Sequence, residues 1–395
     1  MQGGALEPGG RTPTGAGKPP PPAGEEEGRA LSLAFHGRAG EYFRVWIVNL
    51  CLTLLTLGLY SPWAKVRKKR YFYSRTTLDD TPFQYLARPL PILKGRLVAL
   101  ALFLVWYVSS HFYTAALPYV VAAGFVVAPW VLARSAAFNA RYSAFRNLTF
   151  GFDDRYGTAF KVLNVFGLLP LVVVLAMVAV RQDSGAYGKP LAAALALLML
   201  AGLLLFPWWA RRLRAYLVGG MRYGGQRARF GARTASYYGI YLLAGLALIF
   251  GIVVVFFLFR LLARAGVSLP VDRGTPARAL LGLVPVYLVY VAAYTLVQVK
   301  VANLNWNHTR LGPLRFRSEL PALGMFRLYV TNALGILASA GLLIPWAVVR
   351  TVRYRLDHLT VTTTGAWEVF AGTGRDTATA AGAEVSELFD MDLSL

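Results

Sequence analysis

Four Pro-Trp pairs stand out in the sequence, because each is followed by an arginine four residues after the tryptophan. Tryptophan favours the membrane–water interface, since its ring is apolar while its N–H needs a partner. An arginine one helical turn further along lies on the same face, nearer to water. The pattern therefore predicts interfacial anchors at helix ends. The copies are Pro62-Trp63 with Arg67, Pro129-Trp130 with Arg134, Pro207-Trp208 with Arg212, and Pro345-Trp346 with Arg350.

An arginine–tyrosine pair follows each of these motifs. The guanidinium group donates two parallel hydrogen bonds, which suits a phosphate or a carboxylate. A second interpretation is therefore that the pairs converge on one site for an anionic headgroup or solute, and the sequence leaves this open beside simple anchoring. The pairs are Arg70-Tyr71, Arg141-Tyr142, Arg222-Tyr223 and Arg353-Tyr354.

Residues for catalysis or metal binding are sparse. The four histidines are scattered and the single cysteine, Cys51, lies in an apolar run, so the sequence predicts neither a disulfide framework nor a Cys/His metal site. It contains no nucleophile elbow, P-loop, zinc-binding H-E-x-x-H or dinucleotide-binding glycine turn. The paired carboxylates Asp79-Asp80 stand just before Pro82 and predict a turn. We expect no enzymatic activity, no cofactor and no metal.

The composition indicates an integral membrane protein. Of the 395 residues 56% are hydrophobic and only 15% are charged, against roughly 25% charged residues in soluble domains. The net charge of +22 predicts an anionic partner. Nucleic acid is disfavoured, because the basic clusters are separated by long apolar runs and match no reader motif. Anionic lipid headgroups attract each arginine or lysine near the membrane surface by about 1 kcal/mol, and they are the expected partner.

Six apolar runs are long enough to cross a bilayer, which takes about 20 residues. They predict six full spans, at 97–113, 115–133, 162–180, 190–210, 237–259 and 279–299. Two further apolar runs, 43–63 and 326–349, contain the interior polar residues Asn49 and Asn332. The fold class is therefore a polytopic, all-α membrane bundle, with either eight spans or six spans and two segments of another kind.

The chain contains internal repeats. The string from Phe43 to Asn49 nearly matches that from Phe326 to Asn332, and the Pro-Trp, arginine and tyrosine positions that follow have identical offsets. Short stretches with strand-like alternation come after the basic segments, for example at 75–78 and 83–85, 147–150, 314–317 and 359–361. We expect short β-hairpins on the cytoplasmic side of the membrane.

The orientation follows from the positive-inside rule. Connections 64–75 and 211–233 are strongly basic without an acid and are predicted to be cytoplasmic. If 43–63 and 326–349 each crossed the membrane, the basic segment after Trp346 would become external. Re-entrant segments, which dip in and return, would keep every basic motif and both tails cytoplasmic, provided that protein surrounds them. We favour six spans with two re-entrant segments.

Three domains follow. Residues 1–30 are rich in glycine and proline and predict a disordered tail, 31–362 form the membrane domain, and 363–395 predict an acidic disordered tail. The tails contain much of the acidic content, so the membrane domain is more basic than the whole chain.

The string from Glu41 to Asn49, continuing through Leu54 to Arg67, resembles the YjgN-like family of bacterial inner-membrane proteins. The segment Trp306 to Gly312 supports the resemblance, which covers about 31–362. The family is one of unknown function, so the resemblance implies a bacterial inner-membrane location and a multi-pass fold, but no reaction and no site residues.

Two functions remain open. Internal repeats, broken helices and arginines favour a carrier or channel for a small anionic solute or lipid. The alternative is a non-transporting scaffold or sensor that binds anionic lipid and partner proteins. A carrier requires a polar cavity at mid-depth, whereas a scaffold requires a filled core. The oligomeric state is not predicted.

Overall fold

A computed structural model describes residues 28–153, 155–164, 172, 188–266 and 276–365. The predicted span 162–180 lies mostly outside these residues, as do the predicted tails. Of the tails only 28–30 and 363–365 are described, and they belong to the first and the last strand and the turn after it.

The described residues form helices arranged in successive pairs and short strands between the pairs. The helices are α1 (Ala39–Leu55), α2 (Ser61–Ser74), α3 (Pro89–His111), α4 (Leu117–Tyr142), α5 (described over 156–164), α6 (Gly188–Gly220), α7 (Thr234–Arg264), α8 (Pro276–Asn307), α9 (Ala322–Ala338) and α10 (Ile344–Asp357). The strands are β1 (Arg29–Leu31), β2 (Leu33–Phe35), β3 (Thr76–Leu78), β4 (Thr81–Pro82), β5 (Gln84–Tyr85), β6 (Ser143–Phe145), β7 (Leu148–Phe152), β8 (Met221–Tyr223), β9 (Gln226–Phe230), β10 (Thr309–Leu311), β11 (Leu314–Ser318) and β12 (Leu359–Thr363).

The strands close into one antiparallel ring. Strand β12 pairs with β11 on one side and with β1 on the other, so the two ends of the membrane domain meet. Strand β1 continues after Ser32 as β2, which pairs with β3, and β4 continues after Phe83 as β5, which pairs with β6. The remaining strands follow in chain order. The predicted stretches of alternating residues thus lie in one ring, which the sequence analysis did not predict.

Tight turns join the two strands of each hairpin. Asp79 and Asp80 both have positive φ, of 51° and 59°, and so do Arg146 and Asn147, at 46° and 61°. Two consecutive left-handed residues make a type I′ turn, whose twist matches that of the flanking strands. Asp79-Asp80 therefore has the turn conformation that its sequence predicts.

Apolar side chains fill the inside of the ring. Alternate strand residues point inward because successive side chains of a strand face opposite ways. The buried cluster draws on β1, β3, β6, β8, β9, β10, β11 and β12, and it includes Leu31, Leu78, Phe145, Tyr223, Ala228, Leu311, Leu314 and Val361. The ring is a packed core and not an open pore.

The strand that leads into each helical pair is antiparallel to the neighbouring strand that follows the pair. All helical pairs therefore lie on the same side of the ring. Among the described residues a link of three residues joins strand to helix at 36–38, 86–88, 231–233 and 319–321. Among the described residues, five helices are long and apolar enough to cross a membrane, and they are α3, α4, α6, α7 and α8. The pairs α1–α2 and α9–α10 are shorter, with 17 and 14 residues in both.

Candidate anion-binding site

The Pro-Trp-x3-Arg motif places an arginine over the ring of its tryptophan in three copies. The guanidinium carbon lies 6.0 Å from the ring centre of Trp130, 5.0 Å from that of Trp208 and 5.1 Å from that of Trp346. These distances are typical of cation–π contacts. The prolines lie inside helices α4 and α6 or in the first turn of α2 and α10, and all four are buried. Arg134, Arg212 and Arg350 are therefore held beside an aromatic ring.

The first copy of the motif is arranged differently. Arg67 donates a hydrogen bond to the hydroxyl of Tyr60 at 3.1 Å, and the ring of Tyr60 stacks on that of Trp63. In the last copy Arg350 has further partners, the hydroxyl of Thr331 at 2.7 Å and the side-chain oxygen of Asn332 at 3.1 Å. Each copy of the motif thus has an arginine in contact with an aromatic side chain, about three helical turns before the ring, although the contact differs in the first copy.

Arg70 and Arg353 bind backbone carbonyls at the strand-to-helix links. Arg70 donates to the carbonyl of Ala87 at 3.0 Å, and Arg353 donates to that of Gly37 at 2.7 Å. Each carbonyl belongs to the residue before the helix N-cap, where no helical hydrogen bond uses it. Arg353 comes from the last helix and Gly37 precedes the first, so this bond joins the two ends of the membrane domain.

Two other links have the same bond from different residues. The guanidinium Nε of Arg211 donates to the carbonyl of Ala232 at 3.1 Å, and the amide of Asn303 donates to that of Leu320 at 3.0 Å. In each case the donor lies on the helix that leads into the ring before that link. We call these four contacts the link clamps. Arg211 and Asn303 were not predicted as site residues, since neither belongs to the repeated string.

The tyrosines of the predicted pairs also have separate places. The hydroxyl of Tyr71 donates to the carbonyl of Arg38 at 2.9 Å, while the ring of Tyr354 lies against His358. Tyr142 packs against Phe138 at the end of α4, next to Arg141. The structure therefore gives the Arg-Tyr pairs different neighbours, and it does not bring them onto one shared partner among the described residues.

Arg222 and Tyr223 lie in strand β8, where neighbouring residues face opposite ways. Arg222 faces outward and lies 3.5 Å from Asp153, whereas Tyr223 is inside the ring and donates to the carbonyl of Phe145 at 2.8 Å. Burial raises the pKa of Tyr223 to about 12, so its hydroxyl remains a donor at neutral pH. This pair is thus not geometrically equivalent to Arg70-Tyr71, because one lies in a strand and the other in a helix.

Acidic residues neutralise part of the outer face of the ring. Asp79 contacts Arg29 at 3.5 Å and Arg146 at 3.2 Å. Asp153 contacts Arg227 at 2.9 Å as well as Arg222. Glu319 contacts Arg317 at 2.6 Å.

Three further arginines form a row across neighbouring strands. Arg310 stands directly opposite Arg229 on one side and Arg315 on the other. We call Arg229, Arg310 and Arg315 the arginine row. Their strand neighbours Ala228, Leu311 and Leu314 are in the ring core, so the row faces outward. None of the three forms an ion pair with an acid among the described residues.

Like charges directly opposite each other on a sheet destabilise it. Side chains at such paired positions are only about 5 Å apart at Cβ, so an anion between them would relieve the repulsion. The arginine row is therefore the candidate anion-binding site that this structure adds. The alternation Arg227-Ala228-Arg229 and Leu314-Arg315-Phe316-Arg317 is its only signal in the sequence, and the register that brings the strands together is not readable there.

No three histidine, cysteine, aspartate or glutamate side chains come together as a possible metal site in the part of the chain that the structure describes. A small cavity lies between α8, α9, α10 and β11, lined by Gln298, Trp306, Ser318, Met325 and Arg355 among others. The guanidinium of Arg355 donates to the hydroxyl of Tyr329 at 2.9 Å.

Comparison with known proteins connects this fold to inner-membrane proteins. The chain is 48% identical over 56 residues to the inner membrane protein YjgN of Salmonella typhimurium, and 43% identical over 54 residues to its namesake in Escherichia coli K12. Each alignment covers 14% of this chain and 14% of the relative. No solved structure matches the fold.

The family model described as "Bacterial protein of unknown function (DUF898)" matches residues 30–388. This range includes every described strand and helix from Ala30 onward, so the match concerns the whole ring and its helical pairs. Together with the apolar helices, the relatives' names identify a multi-pass inner-membrane protein. The chain belongs to this DUF898, or YjgN-like, family of bacterial inner-membrane proteins.

Proposed function

We propose that the protein is a non-transporting membrane scaffold, which binds anionic lipid and presents its strand ring to partner proteins. The observation that carries this proposal is the ring itself: its interior is filled with packed apolar side chains, and all helical pairs stand on it. Such a ring is a rigid platform, because its described core residues pack in one apolar cluster and both ends of the domain are joined by paired strands and a link clamp.

The membrane part supports the same function. Each of the five candidate spans buries only between 6% and 33% of its most apolar window, so the described spans enclose little space for a solute. Ser109, Ser135 and Thr295 are buried in these helices and are uncharged. A buried charged atom occurs nearer the ring, at the guanidinium Nε of Arg214 in α6, which has no hydrogen-bond partner among the described residues. A carrier for a small anionic solute needs a polar binding site at mid-depth, usually with ionisable groups. The geometry thus favours a scaffold over a solute carrier.

The ring faces the cytoplasm in this proposal. The basic connections 64–75 and 211–233 both lie at the ring end of the helices. The positive-inside rule assigns such segments to the cytoplasmic side. The Trp–Arg contacts at Trp130, Trp208 and Trp346 would then lie toward the cytoplasmic leaflet, where anionic headgroups are concentrated.

We also infer that five copies of one unit built the ring. The support is geometric: four fully described three-residue links, each with a link clamp at the matching place. The first and last units would be re-entrant pairs, and the three between them would supply six spans. Helices of 14 residues, such as α2 and α10, extend about 21 Å, which is shorter than a hydrocarbon core of about 30 Å.

Native mass spectrometry of the purified protein tests lipid binding. The variant Arg134→Gln/Arg212→Gln removes two charges held over tryptophan, and Arg260→Gln/Arg264→Gln at the far end of α7 is the matched control. We expect wild type and control to retain bound phosphatidylglycerol or cardiolipin that the first variant loses. Equal lipid retention in all three proteins would contradict lipid binding at these contacts.

A lipid carrier is the second candidate, and the short pairs favour it. Helix α1 contacts α10, so the two short pairs are neighbours, and their apolar tips at Leu57 and Leu337 are 95% and 76% exposed. Because these two pairs would not reach the far leaflet, a lipid could enter the space above their tips. A dithionite assay of fluorescent phosphatidylglycerol in proteoliposomes distinguishes the candidates. If the protein is a scaffold, the labelled lipid should cross between leaflets at the same rate as in protein-free vesicles. If it is a carrier, the lipid should cross faster.

A further inference from the structure

The chain contains an acidic segment of opposite charge to the arginine row on the outer face of the ring. Residues 366–395 contain six acidic residues and a single arginine, and no lysine. Four of the acids, Glu384, Glu387, Asp390 and Asp392, fall within nine residues. We propose that the acidic segment 384–392 binds the arginine row of its own chain. The inference does not depend on lipid binding at the Trp–Arg contacts.

The place where this segment leaves the ring supports the proposal. The last described residues follow β12, whose Thr362 stands directly opposite Arg315. The backbone N–H of Thr364 donates to the carbonyl of Pro313 at 3.3 Å, in the turn between β10 and β11. Arg310 and Arg315 flank that same turn as a cross-strand pair. The chain thus enters its acidic segment beside the unneutralised arginines.

The length of the tether also permits the contact. Neighbouring strands are about 4.8 Å apart, so β10 is about 10 Å from β12 across the sheet. The chain from Gly365 to Glu384 can extend about 60 Å at about 3.3 Å per residue. A short tether gives an effective concentration of the order of millimolar, so even weak charge pairs would be occupied.

The charge balance of the ring points to the row rather than to its neighbours. Arg29, Arg146, Arg222, Arg227 and Arg317 already contact Asp79, Asp153 or Glu319. Arg229, Arg310 and Arg315 have no such acid among the described residues, and they face one another in register. Carboxylates inserted between them would offset the repulsion and form charge-assisted hydrogen bonds.

Pulsed electron paramagnetic resonance on the full chain tests the proposal. Spin labels are placed at Thr360→Cys, on exposed β12, and at Ser386→Cys, in a Cys51→Ala background that removes the native thiol. In phosphatidylcholine nanodiscs at low salt we expect a narrow short-distance population. The variant Arg310→Gln/Arg315→Gln should lower the ratio of bound to free segment about fivefold. Changing Glu384 and Glu387 to Gln together with Asp390 and Asp392 to Asn should lower this ratio by the same factor.

The control Arg260→Gln/Arg264→Gln removes the same charge at the far end of α7 and should leave the distances unchanged. A broad distribution in wild type would overturn the proposal, and so would a short-distance population that neither charge variant reduces. Repeating the measurement in phosphatidylglycerol nanodiscs distinguishes the other anionic source. If the population disappears there, headgroups occupy the row and the intramolecular assignment is wrong. If it persists, the segment is the occupant.

Discussion

The short helical pairs and the long pair α3–α4 stand on the same ring but end in different residues. The far end of α3–α4 is aromatic, with Phe112, Tyr113 and Tyr119 at 73%, 66% and 78% exposure. The tips of the short pairs expose leucines instead, including Leu57 at 95% and Leu337 at 76%. Tyrosine is enriched where a helix meets the membrane–water interface, whereas leucine suits the hydrocarbon. If the short pairs are re-entrant as proposed, their tips lie in the hydrocarbon and the far end of α3–α4 lies at the interface.

The two kinds of pair also differ in what holds their helices together. In the last pair the amide of Asn332 donates to the carbonyl of Ala347 at 3.3 Å and to the hydroxyl of Thr351 at 3.1 Å. In the long pair α7–α8 a small residue allows close packing, and a Cβ added at Gly251 would lie 2.5 Å from Val289. This pair also has one polar cross-link, in which the hydroxyl of Tyr237 donates to the side-chain oxygen of Asn305. The short pairs thus rely on polar cross-links, whereas this long pair adds a small residue, as is usual between membrane helices.

The largest expected effect is an all-or-none difference in labelling. In a Cys51→Ala background an impermeant maleimide added to spheroplasts should label Tyr113→Cys and should not label Leu57→Cys, since a re-entrant tip remains in the hydrocarbon. Detergent should expose both thiols. Thr362→Cys, at the ring, should react only after lysis. Labelling of Leu57→Cys in intact spheroplasts would show that the first pair crosses the membrane.

The two interior asparagines should differ in their contribution to stability. Asn332→Ala removes two donated hydrogen bonds and the acceptor of Arg350, and we expect a loss of about 2 kcal/mol in the free energy of unfolding. Asn49→Ala should lose about 0.5 kcal/mol, because its amide makes a long contact of 3.4 Å to Ala64 and its oxygen is buried without a partner. Unfolding in mixed SDS micelles measures both. Equal losses would contradict this comparison.

Packing between α7 and α8 should tolerate little change at one glycine. Gly251→Ala places a methyl group against Val289, and we expect a loss of about 1 kcal/mol in the free energy of unfolding. Gly245→Ala on the same helix is the control, since nothing lies within 4 Å of its added Cβ, and helix propensity predicts a small gain. If both variants lost the same free energy of unfolding, a backbone effect and not packing against Val289 would explain the loss.

Much of the helical fold could be predicted from the sequence, because local signals specify it. Apolar runs gave the positions of α3, α4, α6, α7 and α8, and the turn at Asp79-Asp80 follows from its residue types. The pairing of β1 with β12 could not be predicted, since it joins residues at opposite ends of the membrane domain. Strand register depends on such distant partners and leaves no local pattern.

The site was less predictable for the same reason. The sequence pattern grouped Arg222-Tyr223 with Arg70-Tyr71 because both are Arg-Tyr dipeptides. In strand β8 the two side chains point to opposite faces, and Tyr223 lies inside the ring. In helix α2 Arg70 instead contacts the carbonyl of Ala87 in a link. The link clamps at Arg211 and Asn303 use different residue types for one contact. The arginine row needs three strands in register, so its members look like ordinary surface residues in the sequence.

The turn of the last short pair should show effects no larger than that of Gly251→Ala. Gly341 has φ of 92°, where a side chain is strained, so Gly341→Ala should lose about 1 kcal/mol in the free energy of unfolding. Ala340 has φ of 47°, and Ala340→Gly should therefore gain about 0.5 kcal/mol by relieving its own strain. Leu57 and Gly58 repeat these conformations in the first pair, at 49° and 91°. Opposite signs at adjacent residues, measured by SDS unfolding, would show that backbone conformation and not side-chain burial determines this turn. A loss in both variants would mean that contacts at the tip dominate, and the two short pairs would then have to be compared by what surrounds their tips.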